Sequence, residues 1–130
     1  MGEIESSFKH LQQAVRSDPD NAELRAQYRL VKEIEEKKAQ GDEYFKEGNF
    51  IEAIHAWSSC ITLTKDSPSF QCKLYLNRAT ALFKQKKYDD AVKDCTKAIY
   101  YNHDYVKAYV RRSDCYLALG GPDKIQKAIE

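Results

Sequence analysis

The sequence predicts an all-α solenoid, in which antiparallel helix-turn-helix units stack side by side behind a long linker helix. Three observations predict it. One stretch of the chain repeats itself, small side chains recur at matched places in the copies, and apolar residues are spaced i, i+3, i+4 and i+7 throughout.

The first apolar stripe is Phe8, Leu11, Ala14 and Val15, and Ser17-Asp18-Pro19-Asp20-Asn21 stops it. This pattern predicts the second helix of a preceding unit, so the chain reads as starting in mid-repeat. From Ala22 to Glu47 there is no proline and no terminating signal, and Asp20 or Asn21 is suited to cap the start. One long helix is expected, which extends the first helix of the next unit by about three turns. Its run Lys32-Glu33-Ile34-Glu35-Glu36-Lys37-Lys38 reads as a solvated face carrying i,i+4 ion pairs.

The repetition itself begins near residue 40. Gln40-Gly41-Asp42-Glu43-Tyr44-Phe45-Lys46-Glu47-Gly48-Asn49-Phe50-Ile51-Glu52-Ala53 matches Arg78-Ala79-Thr80-Ala81-Leu82-Phe83-Lys84-Gln85-Lys86-Lys87-Tyr88-Asp89-Asp90-Ala91. Each is a helix, a short polar turn, an aromatic, two residues and an alanine. A third copy starts at Ser113-Asp114-Cys115-Tyr116-Leu117-Ala118-Leu119-Gly120. Ala79 and Ser113 are 34 residues apart, whereas Gly41 and Ala79 are 38 apart. The four extra residues are expected in the linker, around Asp66-Ser67-Pro68-Ser69-Phe70.

Two helices can approach closely only where the side chain between them is small. Gly41, Ala79 and Ser113 fit that place on the first helix of each unit, and Ala53, Ala91 and Ala128 on the second. Tyr44, Leu82 and Tyr116, three residues on, are expected to pack one turn away, with Trp57 and Cys95 in the core. The turn Gly120-Gly121-Pro122-Asp123-Lys124-Ile125-Gln126-Lys127 is longer than the others, and the chain ends in mid-helix. The resulting division is the end of a preceding unit and the start of the linker helix over 1–33, units over 34–67 and 72–105, and a truncated unit over 106–130. A solenoid unit cannot bury its apolar face alone. Marginal stability or self-association through an open end is therefore expected.

Charge narrows the function. The 21 basic and 20 acidic residues leave a net charge of +1. The excess positive charge that drives nucleic-acid binding is absent on average, so any electrostatic function must be local. Tyr44, Tyr88 and Tyr116 occupy repeat core positions, which explains several of the nine tyrosines without base stacking. Cys60, Cys72, Cys95 and Cys115 form no Cys-x-x-Cys pair, and His10, His55 and His103 lie at no metal-binding spacing from them. Reduced, buried thiols in a cytosolic protein follow. Met1-Gly2 with Ser6 has the outline of a myristoylation signal, but its surroundings are acidic. Neither a signal peptide nor an apolar run of about 20 residues is present. There is no Gly-rich phosphate loop, no metal constellation and no nucleophile with a spaced base. Cys95 and Cys115 fall on apolar faces, where burial raises the thiol pKa. Neither catalysis nor a cofactor or metal is expected, and neither nucleic acid nor a membrane is an expected partner.

The segment Lys38–Ala118 resembles the middle of a tetratricopeptide-repeat (TPR) array. Within that family the runs Leu74-Tyr75-Leu76-Asn77-Arg78-Ala79 and Asp104-Tyr105-Val106-Lys107-Ala108-Tyr109-Val110-Arg111-Arg112 are similar to co-chaperones. The nearest resemblance is to the TPR portion of DnaJ-type (J-domain) co-chaperones with two TPR clusters. A J domain's His-Pro-Asp is absent, since His103-Asp104 is not one. The resemblance implies helix pairs wound into a right-handed superhelix, and a groove that holds the C-terminal Glu-Glu-Val-Asp of Hsp70 and Hsp90 chaperones in a two-carboxylate clamp. Carried onto this sequence, the clamp comprises Lys38, Asp42, Asn77, Lys107 and Arg111, supported by Phe45, Lys73, Thr80, Phe83 and Lys84. Asp42 departs from the pattern, which asks for asparagine there. The implied chemistry is sound: Lys and Arg give charge-assisted bonds, Arg as a bidentate fork, and Asn adds a donor without charge. Two functions therefore compete, a docking module for chaperone C-termini and a scaffold that binds an internal segment or another TPR unit.

Overall fold

The described residues form six α-helices: α1 (Gly2–Ser17), α2 (Ala22–Lys46), α3 (Phe50–Leu63), α4 (Pro68–Lys84), α5 (Tyr88–Tyr101) and α6 (Val106–Leu119). The structure, a computed structural model, describes residues 2–65 and 67–120, with side chains from residue 8 onward. Ala128, the turn over 121–127, Asp66 and the Met1-Gly2-Ser6 outline lie outside those descriptions.

The long helix α2 begins where Asn21 Oδ1 accepts the Leu24 backbone N–H at 3.1 Å, which satisfies one of the free donors of the first turn. Phe8 of α1 stacks on Tyr28 of α2, with centroids 5.2 Å apart. Tyr44, expected in the core, is 36% exposed and lines a concavity with Ile51, Glu52 and His55 of α3. The charged run before it is also not wholly solvated. Ile34 is buried against α3, and its carbonyl accepts the Cys60 thiol at 3.5 Å. One apolar residue among six charged ones is enough to anchor that stretch.

Close approach explains the small residues. A Cβ placed on Gly41 would sit 2.5 Å from Trp57 Nε1, inside van der Waals contact. Ala53, Ala79 and Ala91 are fully buried, whereas Ser113 is half-buried. The extra residues before the second repeat are not in the loop. Residues 64–67 connect α3 to α4 and residues 102–105 connect α5 to α6, four in each case. The insertion instead lengthens the start of α4, where Pro68 occupies the first turn. Proline is preorganised there and gives up no helical N–H bond.

The turns within repeats reuse one geometry. Gly48 and Lys86 both have positive φ, +81° and +64°. The next residue then donates back into the helix, Asn49 N to Tyr44 O at 2.8 Å and Lys87 N to Leu82 O at 2.9 Å. Gly120, with φ +82°, follows α6 at the corresponding place.

Each helix packs chiefly on its neighbours in sequence, and α4 also touches α6. The core is consequently serial. Ile34, Trp57, Cys60, Phe70 and Leu74 join α2, α3 and α4. Leu82, Cys95 and Cys115 join α4, α5 and α6, beside a third cluster of Cys72, Leu76, Ile99 and Ala108. Arg78 fixes three helices at once: Nε and Nη2 donate to the Asp94 carboxylate at 2.7 and 2.8 Å, and Nη1 donates to Ser58 Oγ at 3.1 Å. Nothing in the spacing pattern reveals this ion pair, because its partners are 16 residues apart.

Candidate functional site

Helix α4 presents one polar face. Lys73, Asn77, Thr80 and Lys84 follow i, i+4, i+7 and i+11, which places all four on the same side. Two compartments open there, each of about 300 Å³. The first is lined by Asp42, Phe45 and Lys46 of α2, Trp57 of α3, and Asn77 and Thr80 of α4. The second is lined by Leu76 and Thr80 of α4 and by Val106, Lys107, Val110 and Arg111 of α6. Thr80 belongs to both, so the compartments form one trough across α2, α4 and α6.

The expected clamp residues do not behave alike. Asp42, Asn77, Lys107 and Arg111 face the trough. Lys38 lines neither compartment; its Nζ is 2.8 Å from Asp42 Oδ2, one turn along α2. The other carboxylate oxygen, Oδ1, accepts the Trp57 indole N–H at 3.2 Å. Asp42 is thus held at both oxygens, and it neutralises the lysine expected to serve a ligand. Asn77 and Lys107, by contrast, have side chains with no hydrogen-bond or ion-pair partner among the described residues. Asparagine is a mediocre helix former, so an unpaired Asn77 in mid-helix is stabilised by nothing local. The Arg111 guanidinium carbon lies 4.9 Å from the centroid of the Phe83 ring, a cation–π contact, with Asp114 Oδ2 at 3.7 Å as an exposed and weak counter-ion.

Of the supporting residues, Phe45 lines the first compartment and packs on Phe50 and Trp57. Thr80 bridges the two compartments, and Phe83 supports Arg111 from beneath. Lys73 and Lys84 share the α4 face but are exposed and line neither compartment. The sequence reading missed the apolar half of the second compartment. Val106 and Val110 are 69% and 55% exposed, one residue before Lys107 and Arg111 in the same i, i+4 step. Two exposed valines in that register were the available signal. Trp57 was expected only as core, and although buried it also contributes a wall and a hydrogen bond.

The thiols sit apart from the trough. All four cysteines are buried and free. Burial pushes Cys60 up to about 11 against the opposing pull of Lys37 and Lys38. A hydrogen bond with Cys115, together with burial, likewise raises Cys95, whereas the same bond lowers Cys115, against the rise expected there from burial. Among the described residues no group of three or more His, Cys, Asp or Glu is arranged to hold a metal, and no helix is long and apolar enough to cross a membrane.

Comparison with known proteins places this geometry in context. A tetratricopeptide-repeat family model matches residues 72–105. DnaJ homolog subfamily C member 7 from Homo sapiens is 36% identical over 114 residues, covering 88% of this chain and 23% of that protein. The chain therefore spans about a quarter of the length of that curated relative. The second TPR of Spaghetti (RPAP3), bound to the HSP90 peptide SRMEEVD, superimposes with a TM-score of 0.65 at 32% identity, over 75% of this chain and 86% of that one. The second TPR domain of human RPAP3, in complex with the HSP70 peptide SGPTIEEVD, gives a TM-score of 0.66 at 31% identity, over 76% and 79%.

Proposed function

The chain belongs to the tetratricopeptide-repeat family, and from that premise we propose that it is a co-chaperone's peptide-docking module, non-catalytic and cytosolic. Its trough takes the acidic C-terminal Glu-Glu-Val-Asp segment of Hsp70 and Hsp90 chaperones. The units over 34–67, 72–105 and 106–130 supply one trough-lining helix each, and residues 1–33 belong to a preceding unit and the linker.

One observation carries this reading: Asn77, Lys107 and Arg111 converge on a single trough with their donors free or weakly paired. In the proposed complex Lys107 and Arg111 hold one ligand carboxylate by charge-assisted bonds, and Asn77 donates to the terminal carboxylate. Val106 and Val110 receive the ligand's valine. A rigid helical floor keeps the donors in place and lowers the entropic penalty of capture. On the α2 side, Asp42 stands where the clamp calls for asparagine, so this half works at reduced strength.

The same Asp42 favours a second reading, a scaffold whose trough takes an internal segment. The two separate in one titration, in which a labelled peptide ending in Glu-Glu-Val-Asp is followed by anisotropy against its C-terminally amidated form and against Arg111→Ala. Docking of a chaperone terminus requires saturable binding that both controls abolish while circular dichroism stays helical. Equal binding of the amidated peptide would establish the scaffold instead.

A further inference from the structure

The side of α4 opposite the trough carries a second concavity. Tyr75 lies about 200° around the helix from Asn77, and with Arg78 it forms part of the lining of a cavity of about 870 Å³, against about 300 Å³ for either trough compartment. The other wall is α5. That helix buries Ala91, Asp94, Cys95, Ala98 and Ile99, which leaves Lys93, Lys97 and Tyr100, at i, i+4 and i+7, on an exposed face.

The rings are mutually supported. Tyr75 stacks on Tyr101 at 6.1 Å, and Tyr100 meets Tyr101 edge-on at 5.3 Å while itself 71% exposed. Tyrosines held this way offer large contact area at low entropic cost. The charge is one-sided. Asp94 is consumed by Arg78, which also lies over the Tyr75 ring at 5.3 Å. Lys93 has only Asp90, at 4.0 Å and well exposed, and Lys97 has no carboxylate within 4.0 Å among the described residues. From α6, Arg112 reaches the lining residue Thr96 at 3.4 Å, and its Nε is buried without a partner. Single exposed lysines and tyrosines are ordinary surface. Three packed rings around one concavity, edged by Lys93, whose only counter-ion is the exposed Asp90 at 4.0 Å, and by Lys97, which has none within that distance among the described residues, are not.

We infer that this face is a second docking site, for an acidic partner segment carrying one aromatic anchor between its acids. The anchor enters among Tyr75, Tyr100 and Tyr101, and acids spaced about one helical turn apart meet Lys93 and Lys97. The site shares no lining residue with the trough, so either can fail while the other stands.

The test uses a fluorescein-labelled peptide, acetylated and amidated Glu-Glu-Phe-Glu-Glu, whose blocked terminus denies it a C-terminal clamp. Saturable binding is expected to the chain and to Arg111→Ala alike. It should weaken about tenfold or more in Lys97→Glu and in Tyr100→Ser, both exposed positions whose substitution leaves the fold intact. A peptide with lysines in place of the glutamates should not bind. Absence of saturable binding, or retention of full affinity in both variants, overturns the proposal. Equal capture of a single-stranded deoxythymidine oligomer would assign the stripe to nucleic acid, and concentration-dependent dimerisation abolished by Tyr100→Ser would assign it to a second copy; either result also overturns it.

Discussion

Asp42 is the residue on which the strength of the trough turns. A ligand carboxylate brought to about 4 Å from it would meet repulsion near 4 kcal/mol at an effective dielectric of about 20, reduced to about 1 kcal/mol by solvent at a partly exposed site. Asp42→Asn removes that charge, keeps an oxygen for the Trp57 N–H and releases Lys38. Affinity for a Glu-Glu-Val-Asp peptide should rise about tenfold, and an unchanged dissociation constant in the anisotropy titration would refute this role. Cys60 gives a second test at this scale. Its folded thiol is raised from 9.0 to about 11, so the unfolded chain releases that proton first as pH rises. The stability contributed is intact below pH 9 and is lost between about 9 and 11. In urea titrations the stability gap between the chain and Cys60→Ala should narrow across that window and stay constant below it. Asn77, Lys107 and Arg111 entered as candidates through the family resemblance, and what the structure adds is that all three line the trough. The capture of both Asp42 oxygens by Lys38 and Trp57 was only half legible, because the lysine is a local i,i+4 partner and the indole arrives from another helix.

Among the elements, the turns within repeats set the most regular demand, a left-handed residue after each first helix. Glycine meets it at positions 48 and 120, but Lys86 meets it with φ +64°, which costs an L-residue about 1 kcal/mol. Lys86→Gly should therefore raise unfolding free energy by about 0.5–1 kcal/mol, measurable as a shifted urea midpoint with unchanged slope. A lower midpoint would show that the lysine side chain contributes more than its backbone loses. The helices were readable because apolar spacing and proline signals are local. The position of the insertion was not. The sequence shows four extra residues between Gly41 and Ala79, but whether they loop out or extend α4 depends on what their side chains can bury. Phe70 and Gln71 are buried there, and Gln71 Nε2 donates to the Ile61 carbonyl at 2.8 Å. Those contacts draw the residues into the helix.

For the molecule as a whole, serial packing makes stability a property of neighbours. Helices α4 and α5 are flanked on both sides, whereas α1 touches chiefly α2. Hydrogen exchange should accordingly be slowest in α4 and α5 and fastest in α1, and uniform protection along the chain would contradict a nearest-neighbour solenoid. The trough and the outer concavity lie on opposite sides of α4, which packs on both α3 and α5. The Trp57–Asp42 bond has one further consequence. The chain contains a single tryptophan, and its indole N–H ends on a carboxylate in the trough wall. Its emission therefore reports on one hydrogen bond at the point of ligand entry. A peptide that displaces Asp42 should shift that spectrum without any label, whereas a ligand of the outer concavity should leave it unmoved, so the protein carries its own optical means of telling its two faces apart.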